Sequence, residues 1–172
     1  MYRKFSDIAS DLKTLLTDSK QFQDVRIAAI TDYAQILKML PDITHTPAAI
    51  IAIGDGNPGG DFVYRESAVG VIIIDKLLGG KATEAAAVSI WNILDAVIAL
   101  FDDPSDDPSD DPSDESDPSD ESDPSDMSGL LLQGVWHQVL SWRPLPLGSD
   151  NAGYVVQITT RNLPGEASPD EI

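Results

Sequence analysis

Between Asp102 and Asp126 the chain repeats one phrase. DPSD occurs five times there, and the stretch holds thirteen acids with no Lys or Arg. It has no aliphatic or aromatic residue, so nothing offsets the entropy of ordering a like-charged segment. Pro104, Pro108, Pro112, Pro118 and Pro124 each remove a backbone donor and push the preceding residue towards extended conformations. The tract is expected to be a mobile, extended loop that adds nothing to a core. Any fold must come from the flanks.

The tract also explains the charge. The 172-residue chain has 29 acids against 11 basic residues, a formal net charge of −18. Without the tract, 16 acids face the same 11 bases and the net charge is −5. The other 147 residues suit one domain. The chain has no Cys, which excludes a disulfide framework and thiolate chemistry and fits a cytosolic compartment. The opening MYRKFSDIASDL has no apolar run of signal-peptide type. The most apolar stretch, 85–101, falls short of the ~20 residues a membrane span needs and carries Asn92 and Asp95, so it reads as a core helix. No basic run exists, which argues against specific nucleic-acid binding.

Phe5, Ile8, Leu12, Leu15 and Leu16 recur at helical spacing, which predicts an amphipathic helix over 4–17. Val25–Ile30 reads as a strand. Tyr33, Ile36, Leu37 and Leu40 suit a short helix stopped by Pro41. Ala48–Ile53 has strand length, and GDGNPGGD after it is a turn by composition. Ser67–Lys76 has apolar residues on both parities, the pattern of a central strand buried on both faces. Thr83 is placed to N-cap a helix over 84–101, whose Ser89, Asn92 and Asp95 form one narrow polar stripe. Leu130–Arg143 reads as one long strand, with Trp136, Leu140 and Trp142 on one parity and Val135 and Val139 on the other. Pro144–Asn151 is a connection, and Tyr154–Thr159 alternates as a strand should. An isolated two-stranded hairpin is marginal, so the strands after the tract must complete the sheet begun before it. The expected fold is α+β: a mostly antiparallel sheet of four to five strands with helices packed on one face. One domain over 1–162 is interrupted by an acidic loop at 102–128, and 163–172 forms an acidic tail.

Sites of chemistry are sparse. Gly54-Asp-Gly56-Asn-Pro-Gly59 matches GxGxxG, but strand-like sequence follows where a dinucleotide site needs a helix. A glycine-rich hairpin loop is the better reading, and no cofactor is expected. The acidic repeat lacks the spacing of an EF-hand, so weak, multiple cation binding is expected rather than a dedicated site. Its serines sit among acids and suit acidophilic phosphorylation. His45 and His137 have no metal-ligand partner at i+3 or i+4, and His137 reads as a face or rim residue. There is no GxSxG elbow and no constellation of acid, base and oxyanion donors, so an enzyme is not expected. Trp91, Trp136 and Trp142 read as core or interface anchors. Arg65 and Arg143 adjoin strand ends, where they are solvated or make ion pairs between subunits.

Three parts together resemble a known family: the opening helix YRKFSDIASDLKTLL, the helix KATEAAAVSIWNILDAVIALF, and the closing pair LLLQGVWHQVLSWRPLPLG and AGYVVQITTRN. Their order is similar to that of the tail terminator, or tail completion, proteins of bacteriophages, most of all the Mu-like minor tail proteins of contractile tails. The resemblance implies a virion structural protein that forms a homohexameric ring at the head-proximal end of the tail tube. Such a ring stops tube and sheath polymerisation and offers the surface for head-completion and neck proteins; DNA passes through it. It implies assembly in a bacterial cytoplasm and no membrane. The candidate subunit or tube interface comprises Asp55, Asn57, Asp61, Tyr64, Arg65, Trp142 and Arg143. The DPSD tract departs from the family pattern; in a ring it either lines the lumen or faces outward, and a bulky loop in a channel favours outward. The alternative is a small α+β binding module whose acidic loop recognises a basic partner or cations.

Overall fold

The computed structural model describes residues 3–30, 33–57, 65–77, 84–101, 129–148 and 150–162. The acidic tract, Thr83 and the 163–172 tail lie outside the described residues. The elements are helix α1 (Phe5–Asp18), strand β1 (Asp24–Ile27), helix α2 (Tyr33–Met39) with a 3-10 turn at Leu40–Asp42, β2 (Ala48–Asn57), β3 (Arg65–Lys76), helix α3 (Glu84–Ala99), β4 (Leu130–Leu132), β5 (Val135–Pro144) and β6 (Asn151–Asn162). The strands form one sheet in the order β1-β2-β3-β6-β5-β4. Only β1 and β2 run parallel; all other neighbours are antiparallel. The α+β class and the mostly antiparallel sheet are as expected, with six strands rather than four or five.

The extra strand comes from the segment read as one strand over 130–143. Gln133 and Gly134 both take positive φ, 52° and 78°, which is what a two-residue hairpin turn of type I′ requires. The chain therefore reverses between β4 and β5. A second correction concerns β2. It continues through Gly54–Asn57, and Gly56 and Asn57 pair with Ser67 and Glu66 after a register irregularity at Ile53. Half of the segment read as a turn is thus strand.

One face of the sheet holds the main core. Val25, Ala49, Ile51, Val69, Val71, Ile73, Val135, Val156 and Ile158 point to it, beneath Ile8, Leu12 and Leu16 of α1 and Ile90, Ile93, Leu94 and Val97 of α3. Each buried Val, Leu or Ile among them contributes about 1.5–3 kcal/mol relative to exposure. The chain's first described residue pins α1 to the far end of β6. Arg3 N–H donates to Asn162 Oδ1 (3.2 Å), and Asn162 Nδ2 donates back to Arg3 O (2.7 Å). The opposite face is not bare. Ile36 of α2, Ile43, Leu145 and Leu147 bury Ala48, Ile50, Ile72 and Ile74 there. Helices therefore lie on both faces, with α2 opposite α1 and α3, which corrects the one-face expectation. The double burial of β3 explains why its apolar residues fall on both parities.

Gly153 sets the position of the 145–147 segment. Leu145 N–H donates to Gly153 O at 2.8 Å. A Cβ at Gly153 would meet Leu147 Cδ1 at 2.5 Å and Ile73 O at 3.1 Å. Gly153→Ala is expected to destabilise the fold by about 1–3 kcal/mol through overpacking, read as a lower urea midpoint at unchanged slope. Deleting 102–126 should leave far-UV CD and the cooperative thermal transition intact, because loop-closure entropy changes slowly with length. Loss of either on deletion would show that the tract packs against the sheet.

Candidate functional site

The described surface is richest at one corner of the sheet. β4 pairs only with Val135–His137, so 138–144 of β5 has a strand on one side alone among the described residues. Within this free length the β5–β6 register slips between Val139 and Ser141, which leaves Leu140 as an extra, 56% exposed residue. A bulge of this kind inverts the parity after it. Val139 opposes Ile158 and Trp142 opposes Val156, both partners being core-side residues. Trp142 therefore lies on the α1/α3 face, and Trp136, opposite Arg161, lies on the other. The reading that placed Trp136 and Trp142 on one parity is corrected by this single inserted residue.

Trp142 is 54% exposed and Trp91 of α3 is 51% exposed. Trp91 Nε1 donates to Tyr154 Oη at 2.9 Å. Tyr154 is two residues along β6 from Val156, the partner of Trp142, so the two rings are diagonal neighbours on one face. Val88, also exposed, sits one helical turn before Trp91. Three elements thus build an aromatic corner that the body of the protein does not cover.

The other end of the sheet is also open. Among the described residues β1 pairs only with β2. Arg26 Nε donates to Asp24 Oδ2 (2.7 Å), and its Nη2 donates to Asp42 O (2.9 Å). The hydrogen bond to Asp24, with the charges of Asp24 and Asp42, holds the guanidinium pKa above its ordinary value. Ile27 beside them is 48% exposed.

Between these ends, the face that carries α2 is only part-covered. A groove of about 240 Å³ opens over Ala52, Gly54, Ala68 and Gly70, with Ser141, Arg143 and Gln157 along its side. Small residues create it by leaving no side chain to fill the space. Among the described residues no group of three or more His, Cys, Asp or Glu converges to hold a metal, and no helix is long and apolar enough to cross a membrane.

The described members of the candidate interface set, Asp55, Asn57, Arg65, Trp142 and Arg143, are not gathered at one place on the sheet. Asp55 and Asn57 fall in the last part of β2, and Asp61 and Tyr64 lie outside the described residues. Arg65 opens β3 opposite Asn162, whereas Arg143 opposes Val155. Those rows are seven residues apart along β6, or about 24 Å at the usual strand rise. Trp142 and Arg143 share the free edge but point to opposite faces. Val88, Leu140 and Ile27 were missed as surface residues, and Trp91, read as a core or interface anchor, was left out of the candidate set. For Trp91 the signal was present: it lies seven residues after Glu84 and four before Asp95, on the exposed side of α3.

His137 is a further correction. It is 1% exposed, so it is a core residue and not a rim residue. It lies beside Thr160 on β6, which shares a hydrogen bond with Ser67 on β3, and the three make one polar rung under the helices. The Phe101 ring lies 6.3 Å from the imidazole. Its Nδ1 has no hydrogen-bond partner among the described residues. Burial alone pushes its pKa down to about 4. No protein-family model matches the chain, and none of the curated proteins is significantly similar to it.

The shift of His137 has a definite sign. The folded state keeps the ring neutral while the unfolded state takes up a proton below about pH 6.5. Stability is therefore lost as pH falls from about 6.5 to about 4, by about 3 kcal/mol in all, and this contribution levels off below that. His137→Leu should abolish this component. Urea midpoints of the two proteins, compared from pH 7 to pH 4, should show the wild type losing stability relative to the variant as pH falls; a gap that stays constant with pH would contradict the assignment.

Proposed function

We propose that the chain is a structural assembly subunit of the tail-terminator kind, closing into a ring at the head-proximal end of a phage tail tube. The observation that carries this reading is a sheet that is open at both ends among the described residues, with half-exposed Trp91 and Trp142 clustered at one of them. A monomer leaves few large aromatics in the open unless they meet a partner. A ring needs heterologous contacts, in which two different surfaces of one subunit meet, and two dissimilar sheet ends supply them. The α+β fold, with β6 and β5 completing the sheet beyond the acidic tract, suits the element order on which the family resemblance rests.

In this reading the work is done by interfaces. The ring caps the tube, stops tube and sheath growth, and presents its other side to head-completion proteins while DNA passes through. The DPSD tract faces outward, where its thirteen acids keep rings apart and repel misdirected contacts. The second reading is a protein-binding module that uses the same acids to hold a basic partner, favoured by the complete absence of bases in the tract.

Light scattering after size exclusion, with negative-stain imaging, separates the two. Six-fold rings whose population rises with protein concentration are expected, as is arrest of tail-tube growth in a polymerisation assay on adding the protein. A monomer at all concentrations that neither caps tubes nor forms rings on them, but binds a polybasic peptide, would favour the module.

A further inference from the structure

We infer that adjacent copies of the chain join by antiparallel pairing of the β1 edge of one with the free 138–144 edge of β5 of the next. This rests on the ring reading and names the surface that would build it. The argument is one of register. Through the ladders, Ile27 lies in one row with Ile51, Val71, Val156 and Trp142. Arg26 likewise lies in one row with Ile50, Ile72, Val155 and Arg143. The last part of the length of β5 that β4 leaves free, Trp142–Pro144, is therefore level with Val25–Ile27 of β1 at the opposite end of the same sheet. A second copy, moved sideways along the row and turned by the twist, brings β1 beside β5 without sliding along the strands. β2 and β3 are antiparallel, as are β3 and β6 and β6 and β5, so β5 runs opposite to β1 and the new pair is antiparallel.

The side chains that meet differ between the two faces. On the α1/α3 face Ile27, on the same side as buried Val25, comes beside Trp142, apolar on apolar. The two half-exposed tryptophans offer roughly 100 Å² each, a sensible apolar centre for an interface that needs about 800 Å² per partner. On the other face Arg143 comes opposite Arg26, with Asp24, which holds Arg26, diagonal to it and Asp42 close by. The added cation meets two acids and one base. The short β1, its charges and the Leu140 bulge all discourage indiscriminate edge pairing, so a partner must fit this register. A second copy carries the matching edge by construction.

Because the chain has no Cys, engineered cross-links report the contact directly. The proposed register sets Ala28 of one copy opposite Ser141 of the next, within the Cα separation that a disulfide spans. Under mild oxidation, Ala28→Cys/Ser141→Cys should give a ladder of covalent oligomers that ends at the closed ring, while each single variant stays uncross-linked. Trp142→Glu should lower the mass in solution to that of a monomer with far-UV CD unchanged. Wild-type rings with no ladder, or rings that survive Trp142→Glu, would overturn the edge pairing and leave the ring reading standing. Dimers from Ser141→Cys alone would overturn it in favour of β5 pairing with itself. A wild-type protein that forms no ring, alone or on tubes, would overturn both.

Discussion

The antiparallel ladder between β3 and β6 holds the protein together. It matches all twelve residues from Arg65 to Lys76 with Asn162 to Asn151. One strand precedes the acidic tract and the other follows it. The partition of the chain by thirteen acids is therefore bridged at the centre of the sheet, not at its margin. Everything else hangs on this seam. β2 and β1 extend the sheet from one side and β5 and β4 from the other. α1 and α3 pack across the seam on one face, while α2 and the 145–147 segment cover part of the second. Long-range pairing of this kind must overcome loop-closure entropy, but that cost grows slowly with loop length, so a long polar insertion is tolerated at the turn.

The ends of the sheet follow from the same seam. β4 begins only at Leu130, three residues before the Gln133-Gly134 turn, so among the described residues it pairs no further than His137 and leaves the rest of β5 without a partner on that side. The bulge at Leu140 then turns Trp142 to the helical face, where Trp91 and Tyr154 stand. Had the strand run on without that residue, Trp142 would point to the groove side and the aromatic corner would not exist. One extra residue thus decides on which face the surface is sticky.

Much of the fold was legible. The 3.6-residue spacing of Ile8, Leu12 and Leu16 marks α1, and the two-parity apolar run of β3 marks a strand buried on both sides. The stripe of Ser89, Asn92 and Asp95 on α3 is exposed as its spacing implies. The failures share a cause. LLLQGVWHQVLSW reads as an unbroken strand because its turn and bulge each occupy one or two residues within an apolar pattern. GDGN reads as a turn because Gly is rare in strands, yet Ser67 and Glu66 supply the pairing that keeps Gly56 and Asn57 extended. The candidate interface set was split because residues near in sequence need not share a face, and Arg65 and Trp142 stand at opposite ends of the strands.

The sequence by itself determined what cannot be core, which segments are helix or strand, and that the two flanks must share one sheet. Those are local matters of charge, periodicity and propensity. Tertiary structure alone decided that His137 is buried, because its cover comes from Thr160 and Phe101, far away along the chain. It alone decided that α2 crosses to the second face, and that β1 and the last residues of β5 stand level at opposite ends. Register is a relation between strands, set by how their side chains interlock across the sheet, and no single segment carries it.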